Sequence, residues 1–325
     1  MSNYQIPKLI PAFSSKGNVF LNFNDKIISD NYILINKLEK YLFNTYLISA
    51  YDIYYGFMPD NLMDFPLANT IMIDSGGYEI LNSYDICENY KYNYKIYPWD
   101  ENKMLEIYKK IYNNEISQFS QLIFSTYDIN TNLTEQISKA CILKQMFPNS
   151  IIDFLIKLPN NIYSLSDFII NSISEPLNFR LIGFTEKELG LTLREKLLTL
   201  IKIKNYFEQM NWIVDIHIFG GLEPNILILY FLAGATVFDG LSWQKVRYSE
   251  NSTLHNPKYY MINQSEIDNK FWMLVDNLNQ LELIENKLEK YLKNNDMKNT
   301  RNKLMNILKN ENLFIEQILE QMGGL

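Results

Sequence analysis

Cysteine and histidine are scarce in this chain, with two of each among 325 residues. Cys87 and Cys141 lie far apart and form no C-x-x-C pair. A disulfide framework is therefore not expected, and a reduced, cytoplasmic compartment is the simplest setting. The N-terminal MSNYQIPKLIPAF lacks the basic stretch followed by an apolar run that marks a signal peptide. No apolar run reaches the roughly 18 residues that a membrane span requires. The longest candidate, Ile226 to Phe238, contains Gly and Thr and reads as a buried helix running into a strand. Positive charge is not in excess either. The net charge of −7 argues against a dedicated nucleic-acid binder, which usually shows a basic footprint. Charged residues make up only 21%, which excludes a disordered tail as the bulk of the chain.

What is present is a recurring alternation. Seven short apolar runs predict strands at Leu47–Tyr51, Thr70–Asp74, Leu122–Thr126, Ile151–Lys157, Arg180–Gly183, Ile213–Phe219 and Thr236–Asp239. Their near-continuous apolar character is that of strands buried on both faces, as in a parallel sheet. The segments between them have helical periodicity, as in Lys103–Tyr112 and Leu191–Met210, where Leu193, Leu197, Leu200 and Ile203 share a face. Leu222–Gly234 predicts a shorter helix, with Pro224 in its first turn and Gly234 closing it. This pattern predicts an α/β fold, and a closed (β/α)₈ barrel in preference to an open sheet. The eighth strand is expected at Leu9–Phe13 or Tyr259–Ile262. A barrel takes about 250 residues, so the chain divides into a catalytic barrel over 1–264 and a C-terminal helical extension over 265–325. The extension has no Gly or Pro before Gly323 and reads as two or three long polar helices, roughly 266–294 and 298–322. Between Lys287 and Lys309 it holds seven basic residues against Glu289 and Asp296. That stretch is either a solvated helix face or a phosphate-tracking patch.

In such a barrel, function sits where the strands end. One strand ends in Asp74-Ser75-Gly76-Gly77-Tyr78, a carboxylate followed by glycines that admit close backbone approach. The next ends in Thr126-Tyr127-Asp128, where the Asp either faces the mouth or caps the following helix. Lys157 closes another strand; it suits a phosphate or carboxylate partner, and equally a lysine that snorkels to solvent. Gly183-Phe184-Thr185-Glu186-Lys187-Glu188 follows. His217 lies inside an apolar strand and is expected to be a satisfied core residue, with Gly220 and Gly221 beyond it offering backbone N–H groups to a ligand. The last strand ends in Phe238-Asp239-Gly240, a carboxylate in a place where burial is costly unless the group is paired or working. Two or three carboxylates converging on one mouth suit chemistry at an anomeric carbon, one attacking and one moving protons.

The combination is more specific than its parts. IDSGGY at 73–78 resembles the D-S-G-G-F motif of tRNA-guanine transglycosylases. HIFGGLEPNILILYFLAGATVFDGLSW at 217–243 resembles that family's His-x-x-Gly block, its helix and its Phe-Asp strand end, with YDIN at 127–130 and IGFTEKELG at 182–190 between them. The resemblance spans roughly residues 45–250. It implies that Asp239 is the nucleophile that attacks C1′, and that Asp74 is the general acid/base. It implies purine recognition by Asp128, a base-binding turn at Ser75, Gly76 and Gly77 with Tyr78 in place of the motif's Phe, and a base pocket that includes Gly183; Phe184 is a further candidate by its place at the strand end. The family's pocket glutamine falls at Lys157 or a neighbour. Its basic stretch after the nucleophile is here Trp243-Gln244-Lys245-Val246-Arg247, in which Lys245 and Arg247 keep part of the charge for nucleic acid. The implied reaction replaces guanine by a 7-deazaguanine through a covalent glycosyl-enzyme, with no cofactor. The tRNA enzymes carry a C-x-C-x-x-C and a later His that bind structural zinc. No Cys follows Cys141, so no metal is expected, and the chain resembles more closely the branch that modifies DNA. Partners implied are DNA or tRNA, a 7-deazaguanine base, and a helper ATPase or a second copy of the chain. Alternatives are base exchange on a free nucleoside or nucleotide, or a non-catalytic subunit of an active transglycosylase.

Overall fold

A computed structural model of the chain describes residues 8–16, 20–23, 26–42, 44–58, 65–80, 95–114, 116–160, 162–249, 252–255, 265–310 and 313–323. Eight parallel strands close into a barrel: β1 (Lys8–Phe13), β2 (Thr45–Ser49), β3 (Thr70–Asp74), β4 (Gln121–Ser125), β5 (Ile151–Leu155), β6 (Leu181–Thr185), β7 (Asp215–Phe219) and β8 (Val237–Gly240). β1 closes the circle by pairing with β8 along Lys8–Pro11 and with β2 at Ala12 and Phe13. The fold is thus a (β/α)₈ barrel with C-terminal helices. The first strand is the one expected at Leu9–Phe13, while Tyr259–Ile262 lies outside the described residues. Thr70–Asp74 keeps its expected bounds, and the other expected strands differ by one or two residues at one or both ends. The run placed at Leu47–Tyr51 is Thr45–Ser49, ending before Tyr51 because the chain turns into a helix at Ala50. The run placed at Arg180–Gly183 extends to Thr185, because Phe184 and Thr185 continue the ladder with β7.

Alternation along the strands explains why they read as continuously apolar. Ile10, Leu47, Met72, Ile123, Leu181 and Val237 point inward and fill the lower barrel. Their neighbours of opposite parity, among them Leu9, Ile48, Ile73, Phe124, Phe154, Ile218 and Phe238, point outward into a larger core beneath the helices. Burial of each such side chain contributes about 1.5–3 kcal/mol, so both faces select apolar residues. The helices start where local chemistry directs. Thr192 and Glu195 form a capping box before Leu193–Gln209. Pro224 opens Pro224–Ala233, and Gly234 closes it. Among the described residues, no helix is long and apolar enough to cross a membrane.

The C-terminal region forms three helices, Glu266–Asn294, Met297–Ile307 and Ile315–Met322. The first runs the height of the barrel. Near the mouth, Asn277 donates from Nδ2 to the carbonyls of Trp243 (2.6 Å) and Val246 (2.8 Å) and accepts from Tyr248 N at 2.7 Å. At the opposite face, Glu285 Oε2 accepts from Leu9 N at 2.9 Å. Lys287, Lys290 and Lys293 therefore lie toward the face away from the mouth. The other two helices pack against Pro224–Ala233.

Arg301 leaves the basic stretch altogether. It is buried, donates from Nε to Asn205 Oδ1 at 3.2 Å, and pairs with Glu208. Lys287, Lys290, Lys293, Lys298, Lys303 and Lys309 remain exposed. Arg301→Ala leaves Asn205 Oδ1 without its donor and opens a gap under the last helices, while exposed Glu208 turns to water. It is expected to cost roughly 2 kcal/mol, read as a lower urea midpoint; an unchanged midpoint would show that the pair is not structural.

Candidate active site

Above the apolar layer the inward positions turn polar. Ser49, Asp74, Ser125, Asp153, His217 and Asp239 come from β2, β3, β4, β5, β7 and β8 respectively. Ser49 is in register with Asp74, and Ser125 with Asp153. A cavity of about 490 Å³ opens over them at the C-terminal mouth, where this fold carries its sites.

Asp74 Oδ1 accepts from Ser125 Oγ at 3.1 Å, and Oδ2 accepts from Gly76 N at 3.2 Å. Burial raises its pKa, the charges of Glu79 and Asp239 raise it further, and these outweigh the backbone donors, so that it is pushed up to about 7. Asp239 is 7% exposed. Its Oδ1 accepts from Gly220 N at 3.1 Å and lies 3.1 Å from His217 Nε2. Gly220 has φ +83°, a backbone that L side chains rarely adopt, and this turn aims its N–H at the carboxylate. Among the described residues, Asp239 Oδ2 makes no hydrogen bond, and Asp239 lines the cavity.

His217 is fully buried, as expected of a core residue, but it is more than that. Its Nδ1 lies 2.5 Å from Asp153 Oδ2 while Nε2 meets Asp239, and the Phe219 ring covers it with centroids 4.0 Å apart. Burial opposes its charge, yet Asp153 and then Asp239 more than compensate, and its pKa stands at about 9. Asp153 itself is fully buried; burial pushes it up and His217 pulls it back.

On the opposite wall, Lys157 Nζ lies 3.5 Å from Asp128 Oδ1 and 3.4 Å from Glu188 Oε1. Glu188 is itself fixed by Thr185 Oγ1 at 2.6 Å and Leu158 N at 3.1 Å. Lys157 thus serves carboxylates. Asp128 faces the cavity, and Asn132 caps the next helix instead, accepting from Glu135 N at 3.0 Å.

The other expected residues divide. Ser75, Gly77, Tyr78, Gly220 and Lys245 line the cavity with Asp74, Asp128, Lys157 and Asp239. Four do not line it, and Arg247 makes a fifth. Gly183 faces inward below the cavity, where a Cβ would collide with the Phe219 ring and come within 2.9 Å of Asp153 Oδ1. It makes room for the Asp153–His217 pair rather than for a base. Phe184 has outward parity and is buried in the outer core. Gly76 backs onto Trp99, whose Nε1 donates to Ser75 O at 2.8 Å. Gly221 packs on Ile218. Arg247 pairs with Asp276 at 3.4 Å on the long helix.

The sequence reading missed a second carboxylate group beside Asp74. Glu79 is buried and lines the cavity. Ser14 Oγ donates to its Oε1 at 2.6 Å and Ser49 Oγ to its Oε2 at 2.9 Å. Behind it, buried Asp52 accepts from Ser15 N at 2.6 Å and from Ser15 Oγ. Buried Lys16 donates to Tyr78 O at 3.0 Å and stands 4.4 Å over the Tyr78 ring. Burial pushes both carboxyls up. The one available signal was position, since Glu79 directly follows the IDSGGY run.

Among the described residues, the arrangement offers a carboxylate with one oxygen free of hydrogen bonds at the cavity, a carboxyl able to gain or lose a proton near neutrality, and an acceptor and a donor side by side on the far wall. Compared with known proteins, the chain matches no protein-family model and no curated sequence.

Proposed function

We propose that the protein is a transglycosylase that exchanges guanine for a 7-deazaguanine derivative in nucleic acid, DNA in preference to tRNA. The observation that carries this reading is the pairing of Asp239, one oxygen held and the other facing the cavity, with Asp74, poised to exchange a proton near pH 7. Asp239 Oδ2 attacks C1′ of the target nucleotide. The C1′–N9 bond breaks, its electron pair stays with guanine, and Asp74 supplies the proton that guanine needs to leave. The 7-deazaguanine then gives its N9 proton to Asp74, and N9 attacks C1′ and displaces Asp239. Two inversions give retention. A carboxyl with a pKa near the working pH serves both directions.

The far wall fits the guanine edge. Asp128 accepts from N1–H and the 2-amino group, and Lys157 donates to O6, whereas adenine presents the opposite pattern. Asp128→Asn replaces one acceptor with a donor and is expected to raise KM for the base about 10- to 100-fold with a smaller change in kcat. An unchanged KM would remove Asp128 from base recognition.

The preference for DNA rests on the missing cysteines after Cys141. Work on nucleic acid also fits a cytoplasmic location. A duplex target requires the guanine to be flipped out or already single-stranded. One observation favours a second reading, exchange on a free nucleoside: the cavity walls hold seven carboxylates against three lysines, and the exposed lysines of the C-terminal helices do not lead into the mouth. The deciding experiment incubates the protein with single-stranded DNA, duplex DNA, tRNA or free guanosine, adds a 7-deazaguanine, and seeks a denaturant-resistant adduct by mass spectrometry. An adduct on a polymer that is absent in Asp239→Asn supports the proposal. An adduct or exchange on guanosine alone moves the reading to the free nucleoside, and neither product on any substrate overturns both.

A further inference from the structure

The environment of His217 favours its charged form on geometric grounds. A neutral imidazole has one N–H donor and one acceptor nitrogen. Here both ring nitrogens face carboxylate oxygens, Asp153 Oδ2 at 2.5 Å and Asp239 Oδ1 at 3.1 Å. An ionised carboxylate only accepts, so with both partners ionised the ring must supply two donors, which is the imidazolium; a proton resting on Asp153 instead would leave the ring neutral. The charged and titratable groups against the ring are Asp153 on β5 and Asp239 on β8. On β6 its register partner is Gly183, which carries no side chain, and Phe219 of its own strand covers the ring and excludes water. Asp153 has no second task, since its Oδ1 is buried without a hydrogen-bond partner among the described residues. A buried carboxylate half-satisfied in this way is costly, and its visible effect is to hold a proton on His217.

We infer that Asp153 and His217 are positioning residues for Asp239, clamping its Oδ1 with a permanent cationic donor so that Oδ2 alone faces the cavity. This rests on the reading of Asp239 as nucleophile. The clamp acts on the two half-reactions unequally. In the first, Asp239 bonds to C1′ through Oδ2 and its negative charge is consumed. In the second, the C1′–Oδ2 bond breaks and its electron pair returns to the carboxylate. The cation at Oδ1, joined by Gly220 N, stabilises the charge that develops there, as preorganised donors do for a departing anion. Removing the cation therefore slows release of the glycosyl group more than its capture.

The chain has only two histidines, His217 and His255, so nitrogen-15 NMR in a His255→Gln background reads His217 alone. The expected result is a doubly protonated ring through pH 8. Asp153→Asn keeps an acceptor for Nδ1–H but removes the charge, and should make the ring neutral at pH 7. In single-turnover experiments the same variant should form the covalent adduct at a rate within about threefold of wild type while releasing it about 10- to 100-fold more slowly, so that adduct accumulates. A neutral His217 in the wild type at pH 7 overturns the inference even where exchange proceeds, leaving the transglycosylase reading intact. Formation and release slowed alike by Asp153→Asn, with a lowered Tm, mean a merely structural pair and also overturn it. If Asp153→Asn does not fold, His217→Gln tests the same partition, and the wild-type NMR needs no variant. If no substrate forms an adduct while His217 is doubly protonated, the transglycosylase reading fails and the leaving-group role fails with it.

Discussion

Asp239→Asn is expected to reduce base exchange by roughly 10⁴-fold or more and to abolish the covalent adduct, while leaving the fold in place. The size of the loss follows from geometry. The Oδ1 position receives two donors, His217 Nε2 and Gly220 N, so an asparagine turns its carbonyl oxygen there and presents its NH₂ where the attacking oxygen stood. An amide nitrogen cannot form the glycosyl ester, and the remaining groups bind the base without opening a path to C1′. Base binding should be retained, because Asp128 and Lys157 lie on the opposite wall and do not depend on Asp239. The measurement is the initial rate of exchange with the best substrate, beside equilibrium binding of the free base. A variant that keeps a tenth of the activity would show that Asp239 is not the nucleophile, and a variant that loses base binding as well would show that the effect is a collapsed site.

The sequence made the barrel legible because strands buried on both faces alternate with helices, and the two carboxylates that close β3 and β8 stood out against apolar runs. Parity was harder to read. Where every strand residue is buried, apolar character no longer tells inward from outward. Phe184 was placed in the site on its position near a strand end, but β6 continues to Thr185 and the side chain falls on the outer face. Asp153 sits in the middle of an apolar strand and gives no signal there for the same reason, and His217 reads as a core residue without sight of Asp153, its partner at Nδ1. That pair becomes visible only when β5 and β7 are brought to either side of Gly183. Arg301 shows the limit of counting charges: its partner Glu208 lies on another helix, 93 residues away, and no tally of lysines and arginines along the chain separates it from the exposed residues beside it.

Asp74→Asn carries the second large effect, and its consequences for activity and stability run in opposite directions. Activity should fall roughly 10²- to 10⁴-fold, the range for loss of a general acid/base. The limb of the pH–rate profile near 7 should disappear with it, since that limb belongs to the carboxyl that burial, Glu79 and Asp239 raise to about 7. Stability should rise. An aspartate in an unfolded chain has a pKa of about 3.9, so the folded state holds this proton more tightly than the unfolded state does. The contribution of the group is fully present below that value and is lost as pH climbs through 7, above which the ionised carboxylate sits half-buried beside Glu79 and Asp239. Asparagine carries no such charge. The variant should therefore be more stable than wild type at pH 8, by on the order of 2 kcal/mol, and the gap should close as pH falls toward 4. Urea unfolding of both proteins at pH 8 and pH 5 measures this directly. A variant less stable than wild type at pH 8 would mean that the hydrogen bonds from Ser125 and Gly76 outweigh the cost of the buried charge, and the account of Asp74 as a strained acid held ready for chemistry would fail. A stabilised but inactive variant is the pattern expected of a group kept at the mouth for its proton and not for the fold.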